Sequence, residues 1–395
     1  KLRETMILTN QIDVDMVSGA TLSSTGFLEA VNNAFEKTGA ASDLLVAKAA
    51  AASVEKADHY DADVIIVGAG GAGLSAAITA AEDGASVIVV EKMNNTGGNT
   101  LISGGEMAAP GNWLQEGEGI DDSADQFYQD ILTGGDNEND PELVRVLADN
   151  AMDAAIWLRD DVKVQFEDYM LFFGGHSVKR SLVPLNASGV ELIEKLQAKA
   201  ESLGVEIHTN TAAVELVQTD GKVTAVKAQS DGQDITYNAA KGVILATGGF
   251  GSNLEMRIAN NPDMDEKILS TNSVGSTGDG IVMAKELGAD FVDMEQIQTH
   301  PTVNPDTQTM YTEGVRGNGA ILVNKEGKRF CNELETRDVV SAAILEQTDG
   351  QCYLVFDDAV RESLAAIESY IKAGIVTEAD TPEALGEALN IDGAA

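Results

Sequence analysis

The chain has 395 residues, 44% hydrophobic and 23% charged, enough for roughly two or three folded units with buried cores. Its 64 Asp and Glu against 26 Lys and Arg leave a formal net charge of −38, which repels phosphate backbones and anionic membranes and excludes a nucleic-acid partner from first consideration. Cys331 and Cys352 form no C-x-x-C pair and no zinc or haem pattern. No apolar run approaches the ~20 residues of a membrane span, and no metal site is expected.

Residues 1–40 read as one unit. Ser23 or Ser24 caps a helix carrying Phe27, Leu28, Val31, Ala34 and Phe35 at helical spacing. Just before it, Asp15-Met-Val-Ser18-Gly-Ala-Thr21 sets a hydroxyl in a Gly-Ala turn with no bulk around it. Residues 41–60 are rich in Ala and read as a linker. Residues 61–294 form a nucleotide-binding domain and 295–395 a capping domain. Lys1 and the Asp392-Gly-Ala-Ala395 end both look like cut points, so the chain reads as part of a longer protein.

From Asp63 the pattern becomes α/β. Val64-Ile-Ile-Val67 is a buried parallel strand, Leu74–Glu82 a helix and Ala85–Val90 a second strand, together a βαβ unit. Residues 141–160 and 189–203 read as amphipathic helices. Val205–His208 is a strand. Ala213–Val217, Val223–Ala228 and Asp234–Tyr237 alternate, parted by Asp220-Gly221 and Asp231-Gly232, which signal hairpins. They form a small antiparallel meander inserted into the sheet, after which Val243–Ala246 resumes the parallel style.

Gly68-Ala-Gly70-Gly-Ala-Gly73 is a G-x-G-x-x-G run between a strand and a helix, with Glu91 closing the next strand. That context is the dinucleotide-binding one. Gly68 allows the tight turn, Gly70 lets backbone approach a pyrophosphate, and Gly73 lets helix and strand pack closely, with Gly71 and Ala72 opening the helix. Glu91 accepts from ribose hydroxyls and disfavours a 2′-phosphate. Gly97-Gly98-Asn99-Thr100, Ser103-Gly104-Gly105 and Ala246-Thr247-Gly248-Gly249 supply small residues against which a flat ring system can lie. Together they point to FAD.

Here the residues carry a family resemblance. Over 61–395 the chain resembles the flavoproteins of the soluble fumarate reductase and flavocytochrome c family. The resemblance rests on Thr247-Gly-Gly-Phe250, Gly278-Asp-Gly280, Thr299-His-Pro-Thr302, Glu313-Gly-Val-Arg-Gly-Asn-Gly-Ala320 and Asn324-Lys-Glu-Gly-Lys-Arg-Phe330. It implies a Rossmann-like FAD-binding domain with the inserted meander, an α+β capping (clamp) domain, and reduction of the C=C bond of a 2-enoate such as fumarate or another acrylate. It also implies that Lys92, Ala213, Gly278 and Asp279 join the cofactor set.

Such a reaction needs a hydride at the β carbon, a proton at the α carbon and stabilised charge on the carboxylate. By resemblance, His300 and Thr312 hold a substrate carboxylate, Arg337 donates the proton, and Glu313 and Arg316 resupply it. An Arg donor, with a pKa above ~12 in water, needs burial and a carboxylate beside it. A second carboxylate clamp, a His and an Arg, would lie beyond Ala395. Phe172-Phe173 stands where fumarate reductases tend to carry methionines, which makes Phe173 a substrate wall suited to another acrylate-type acid. Retention of His300 and Thr312 argues against urocanate. His176 is a weaker candidate for the site, and His59 and His208 read as structural.

The D-x-x-S-G-A-T run is similar to the flavinylation motif of FMN-binding domains, which implies FMN joined covalently to Thr21 as a relay from an upstream electron donor. Such modification accompanies export, which implies an extracytoplasmic or cell-surface protein, the alternative being cytoplasmic. Two other functions fit the same motifs: a flavin dehydrogenase or oxidase of the same superfamily, and an electron-carrier module without a substrate.

Overall fold

The computed structural model describes residues 57–391. Thr21, the helix expected over 26–36 and residues 41–56 of the linker lie outside the described residues. Strand β1, His59–Val67, leads through helix α1, Gly71–Glu82, to strand β2, Val87–Val90. The strands pair in parallel with Val64 opposite Val87. All of β2 is buried, so both its faces are apolar and its sequence shows no alternation.

Helix α2, Gly98–Ile102, strand β3, Met107–Ala108, and helices α3, Trp113–Glu118, α4, Ala124–Gly134, and α5, Pro141–Trp157, follow. Asn112 and Gln115 form a capping box at α3. Asp140 caps α5 ahead of Pro141, and Val144, Ala148, Ala151 and Ala155 line its buried face. The helix expected over 141–160 stops at Trp157 and opens into a wide turn, Leu158–Val162, closed by Lys163 at φ 71°.

Strands β4, Phe166–Leu171, and β5, Ser181–Pro184, pair antiparallel, with β3 on the far side of β5. Helix α6, Gly189–Ser202, buries Leu192, Ile193 and Leu196 against Leu74 and Ile78 of α1 and Ile66 and Val89 of the sheet. Strands β6, Glu206–His208, β7, Ala212–Thr219, β8, Lys222–Ser230, and β9, Gln233–Leu245, complete a six-stranded sheet in the order β6-β2-β1-β9-β8-β7. Asp220-Gly221 and Asp231-Gly232 all take positive φ, as tight hairpin turns require.

The meander differs from the sequence reading in one respect. The pattern points to separate strands at Asp234–Tyr237 and Val243–Ala246, whereas β9 is one strand of 13 residues. One edge pairs antiparallel with β8 from Gln233 to Asn238. The other pairs in parallel with β1 from Thr236 to Leu245. A strand has two hydrogen-bonding edges, and nothing in Asn238-Ala-Ala-Lys-Gly242 forbids extended backbone. The meander is thus fused to the main sheet.

The remaining elements are α7, Leu254–Asn260, α8, Asp279–Glu286, α9, Gly314–Gly317, β10, Ile321–Val323, α10, Arg337–Leu345, β11, Tyr353–Val355, α11, Asp358–Ser363, α12, Ala366–Lys372, and α13, Pro382–Leu389. Leu171 and Val183 of β4 and β5 share a core with Val315, Ala320, Val360, Leu364 and Ile367. The β4–β5 hairpin is therefore packed against the late part of the chain.

Behind that hairpin lies a buried ion cluster. Arg180 is 0% exposed, reaches the two Asp122 oxygens at 2.9 and 3.0 Å, and also bonds Asp130. Removing the cation strands two carboxylates, Asp122 with no exposed side-chain surface. We predict that Arg180→Ala lowers unfolding free energy by roughly 3–5 kcal/mol in urea titration, a larger loss than that of Arg145→Ala, whose ion pairs with Asp125 and Asp149 lie nearer solvent.

Candidate active site

The glycine run lies at the carboxyl ends of β1 and β9. Gly68 sits at φ +105°, and a Cβ there would lie 2.3 Å from the Ala246 carbonyl oxygen. At Gly73 a Cβ would lie 1.9 Å from the Gly68 oxygen. These glycines are required by packing. At Gly70 the nearest atom to a Cβ is 3.7 Å away, so its backbone borders open space. No side chain caps α1 and its first turn carries no acidic residue, which leaves its amides available to an anion. These observations fit a pyrophosphate.

Glu91 is buried, and its carboxylate accepts from the amides of Ala69 and Met93, both at 2.8 Å. That fixes its carboxylate at the end of β2. Thr211 N–H donates to the Glu91 carbonyl at 2.8 Å, which brings nearby Ala213 alongside. The Gly71 amide donates to Thr100 Oγ1 at 3.3 Å. Asn99 bonds Asn272 and the Ser273 amide. Lys92 Nζ bridges Thr277 Oγ1 and Asp279 Oδ2, each at 2.6 Å, beside Gly278 at φ +82°. Thr247 packs where a Gly280 side chain would lie, and Gly248 has φ +70°. These contacts link most of the predicted cofactor residues near the ends of β1, β2 and β9, and Gly98 opens α2.

A second cluster centres on Glu313. Arg337, the first residue of α10, places Nε 2.7 Å and Nη2 2.6 Å from Glu313 Oε2. Its Nη1 donates to Gln298 Oε1 at 2.7 Å. Arg316 on α9 lies 3.4 Å from Glu313 Oε1 and donates to the Glu333 carbonyl at 2.7 Å. Its Nε finds no partner. Burial holds the Arg316 guanidinium below its ordinary pKa, which eases proton release.

His300 faces the same charges. Burial first, then Arg337 and Arg316, push its pKa down to about 3, so the ring is neutral. The Thr302 amide approaches its Nδ1 at 3.4 Å, leaving Nε2–H as the ring's donor. Thr312 adjoins Glu313 and gives its amide to the Tyr370 hydroxyl at 2.9 Å. Phe172–Gly174 runs close to α9 and to the segment leading into α10: a Cβ at Gly317 would meet the Phe172 oxygen at 2.4 Å and one at Gly174 the Leu334 oxygen at 3.0 Å. Phe173 stands edge-on to His176 at 6.2 Å.

Glu106 lies within the field of the Glu313 cluster, and sequence reasoning missed it. It follows Gly104 and Gly105 directly, and its carboxylate lies 2.3 Å from where a Gly104 Cβ would be. Burial raises its pKa, while the Arg337 charge opposes that and Glu313 adds to it. Its signal was a lone acid among small and apolar residues, Gly104-Gly-Glu-Met-Ala-Ala109. Gln298 and Tyr370 were also missed; neither stands in a recognisable motif. His59 pairs with Asp58, and His208 bonds Tyr237 and Glu206, so both are held structurally.

A mixed sheet with glycine loops at its strand ends, together with an Arg–Glu–Arg cluster on the later elements, fits a flavin-dependent oxidoreductase scaffold. The chain belongs to the FAD binding domain family, which it matches over residues 63–386, and it also matches the FMN-binding domain over residues 3–36. It is 45% identical to a protein of Eggerthella lenta named urocanate reductase, over 98% of this chain and 66% of that protein. It is 41% identical to fumarate reductase (cytochrome) of Shewanella frigidimarina, over 87% and 60%. The open conformation of a flavocytochrome c3 fumarate reductase superposes with a TM-score of 0.71 at 36% identity, over 85% of this chain and 59% of that one. The chain thus spans under two thirds of the length of these relatives.

The depressed His300 pKa carries a stability consequence. The unfolded ring binds a proton below about pH 6.5 while the folded ring does not, so stability is full above that pH and falls as pH drops. We predict a loss of about 2 kcal/mol from His300 between pH 7 and pH 5, measured as urea midpoints, and a flatter profile for His300→Gln.

Proposed function

We propose that the complete protein reduces the C=C bond of a 2-enoate, and that its substrate is an imidazole-bearing acrylate of the urocanate type. The observation that carries this reading is Glu106, a carboxylate with its pKa raised by burial beside Arg337 and Glu313. A dicarboxylate such as fumarate would set a second carboxylate against Glu106, where burial already disfavours negative charge. A ring N–H instead gives Glu106 a donor to accept from. Phe173 supplies an apolar wall for a flat ring. The sequence argument against urocanate, from His300 and Thr312 alone, left this acid out. The 45% identity to a protein named urocanate reductase supports the revised reading.

Bound reduced flavin supplies the hydride for the β carbon. Arg337 delivers a proton to the α carbon, its guanidinium oriented by Glu313 and Gln298. Arg316 and Glu313 pass a proton back to it, which the lowered Arg316 pKa favours. Neutral His300 donates from Nε2, and Thr312 from its hydroxyl. The Thr21 pattern and the FMN-binding match support a covalent FMN that relays electrons from an upstream donor. The same motif supports an extracytoplasmic setting; among the described residues no helix is long and apolar enough to cross a membrane.

The test is an acceptor panel on the full-length, FAD-loaded protein with reduced viologen: urocanate, fumarate, acrylate, methacrylate and cinnamate. We expect kcat/KM for urocanate to exceed that for fumarate by at least about tenfold, and Glu106→Gln to erase that margin. Arg337→Ala should cost about 100-fold or more with every acceptor while flavin content stays unchanged. A preference for fumarate that Glu106→Gln leaves intact overturns the substrate assignment, and bleaching with none of the acids overturns the reductase.

A further inference from the structure

We propose that Tyr370 is a specificity-determining residue, its phenol O–H donating to an acceptor atom of the group seated at the Thr312 end of the site. The identity of that group, a neutral imidazole, rests on the reading of Glu106 above.

Tyr370 lies on α12 and packs on the same core as Phe173 and Tyr169. Its oxygen accepts the Thr312 amide at 2.9 Å. A phenol that accepts still has one proton to donate, and that proton points away from the N–H it accepts. Among the described residues no acceptor takes it. The ring carrying that hydroxyl is also held in place. Tyr311 stands edge-on to the Tyr370 ring at 5.0 Å and 80°. Tyr311 is itself pinned, its hydroxyl donating to the Ile375 carbonyl at 2.9 Å and accepting from Asn304 at 3.1 Å.

The surroundings suit a donor that stays protonated. Burial raises the Tyr370 pKa, and the Glu106 charge adds to the effect. Glu106 also acts on Tyr169, so the acid and both phenols border one region. A neutral imidazole has one N–H and one bare nitrogen. Glu106 accepts from the first and Tyr370 donates to the second. A phenyl ring satisfies neither group, and a carboxylate satisfies only Tyr370. The pair therefore reads the ring by its hydrogen-bond pattern.

The experiment compares wild type, Tyr370→Phe and Tyr311→Phe in the full-length FAD-loaded protein, with urocanate and cinnamate as acceptors. We expect Tyr370→Phe to raise KM for urocanate by about tenfold with kcat within about twofold, and to leave cinnamate unchanged. Equilibrium binding of urocanate to the oxidised protein should weaken by a similar factor. Tyr311→Phe loses a structural hydroxyl and should lower the melting temperature without changing the urocanate-to-cinnamate ratio. An equal loss on both acids, or an unchanged KM for urocanate, overturns the proposal. Should wild type prefer fumarate, the Glu106 reading falls separately, and Tyr370 is judged by the same KM-against-kcat split on fumarate.

Discussion

Glu313 is buried between two guanidinium groups, and the late half of the chain is arranged to keep it there. A carboxylate alone in such a place is unfavourable by several kcal/mol. Arg337 supplies two contacts to one oxygen and Arg316 approaches the other. Each partner comes from a different helix, α9 and α10, so the pairing also fixes how those helices meet. The Phe172–Gly174 loop can then approach only where glycines stand, at Gly174 and Gly317.

That constraint carries directly into the chemistry. An arginine in water holds its proton too tightly to act as an acid. Burial lowers the pKa of Arg316, and the Glu313 carboxylate stands between the two guanidiniums. The same field acts on His300, which stays neutral. Burial disfavours charge on Glu106, which lies within the field of Arg337 and Glu313. On the proposed reading, those cations face the charge that develops on the substrate and Glu106 faces a ring N–H.

The nucleotide cleft was legible in the sequence because its residues obey local rules. Gly68 needs positive φ, Gly73 leaves no room for a side chain, and Glu91 closes a buried strand. The Arg337, Glu313 and Arg316 set was legible only through its motifs, since 24 residues separate the two members of its central pair. Glu106, Gln298 and Tyr370 were not legible. Each is an ordinary residue in its own neighbourhood and becomes part of the site only when distant segments meet. The continuity of β9 was missed for a related reason: strand boundaries were inferred from side-chain pattern, while pairing on both edges set the actual length.

The sequence alone determined the βαβ unit, the positions of its turns and the glycine cradle, because φ preference, close approach and apolar periodicity act over a few residues. Only the tertiary structure decided that β9 joins parallel and antiparallel halves in one sheet, that Glu106 comes within the field of Arg337, and that Tyr370 meets the Thr312 amide. Those outcomes depend on contacts between segments dozens to hundreds of residues apart, and electrostatic fields and hydrogen-bond partners exist only once such segments are packed together.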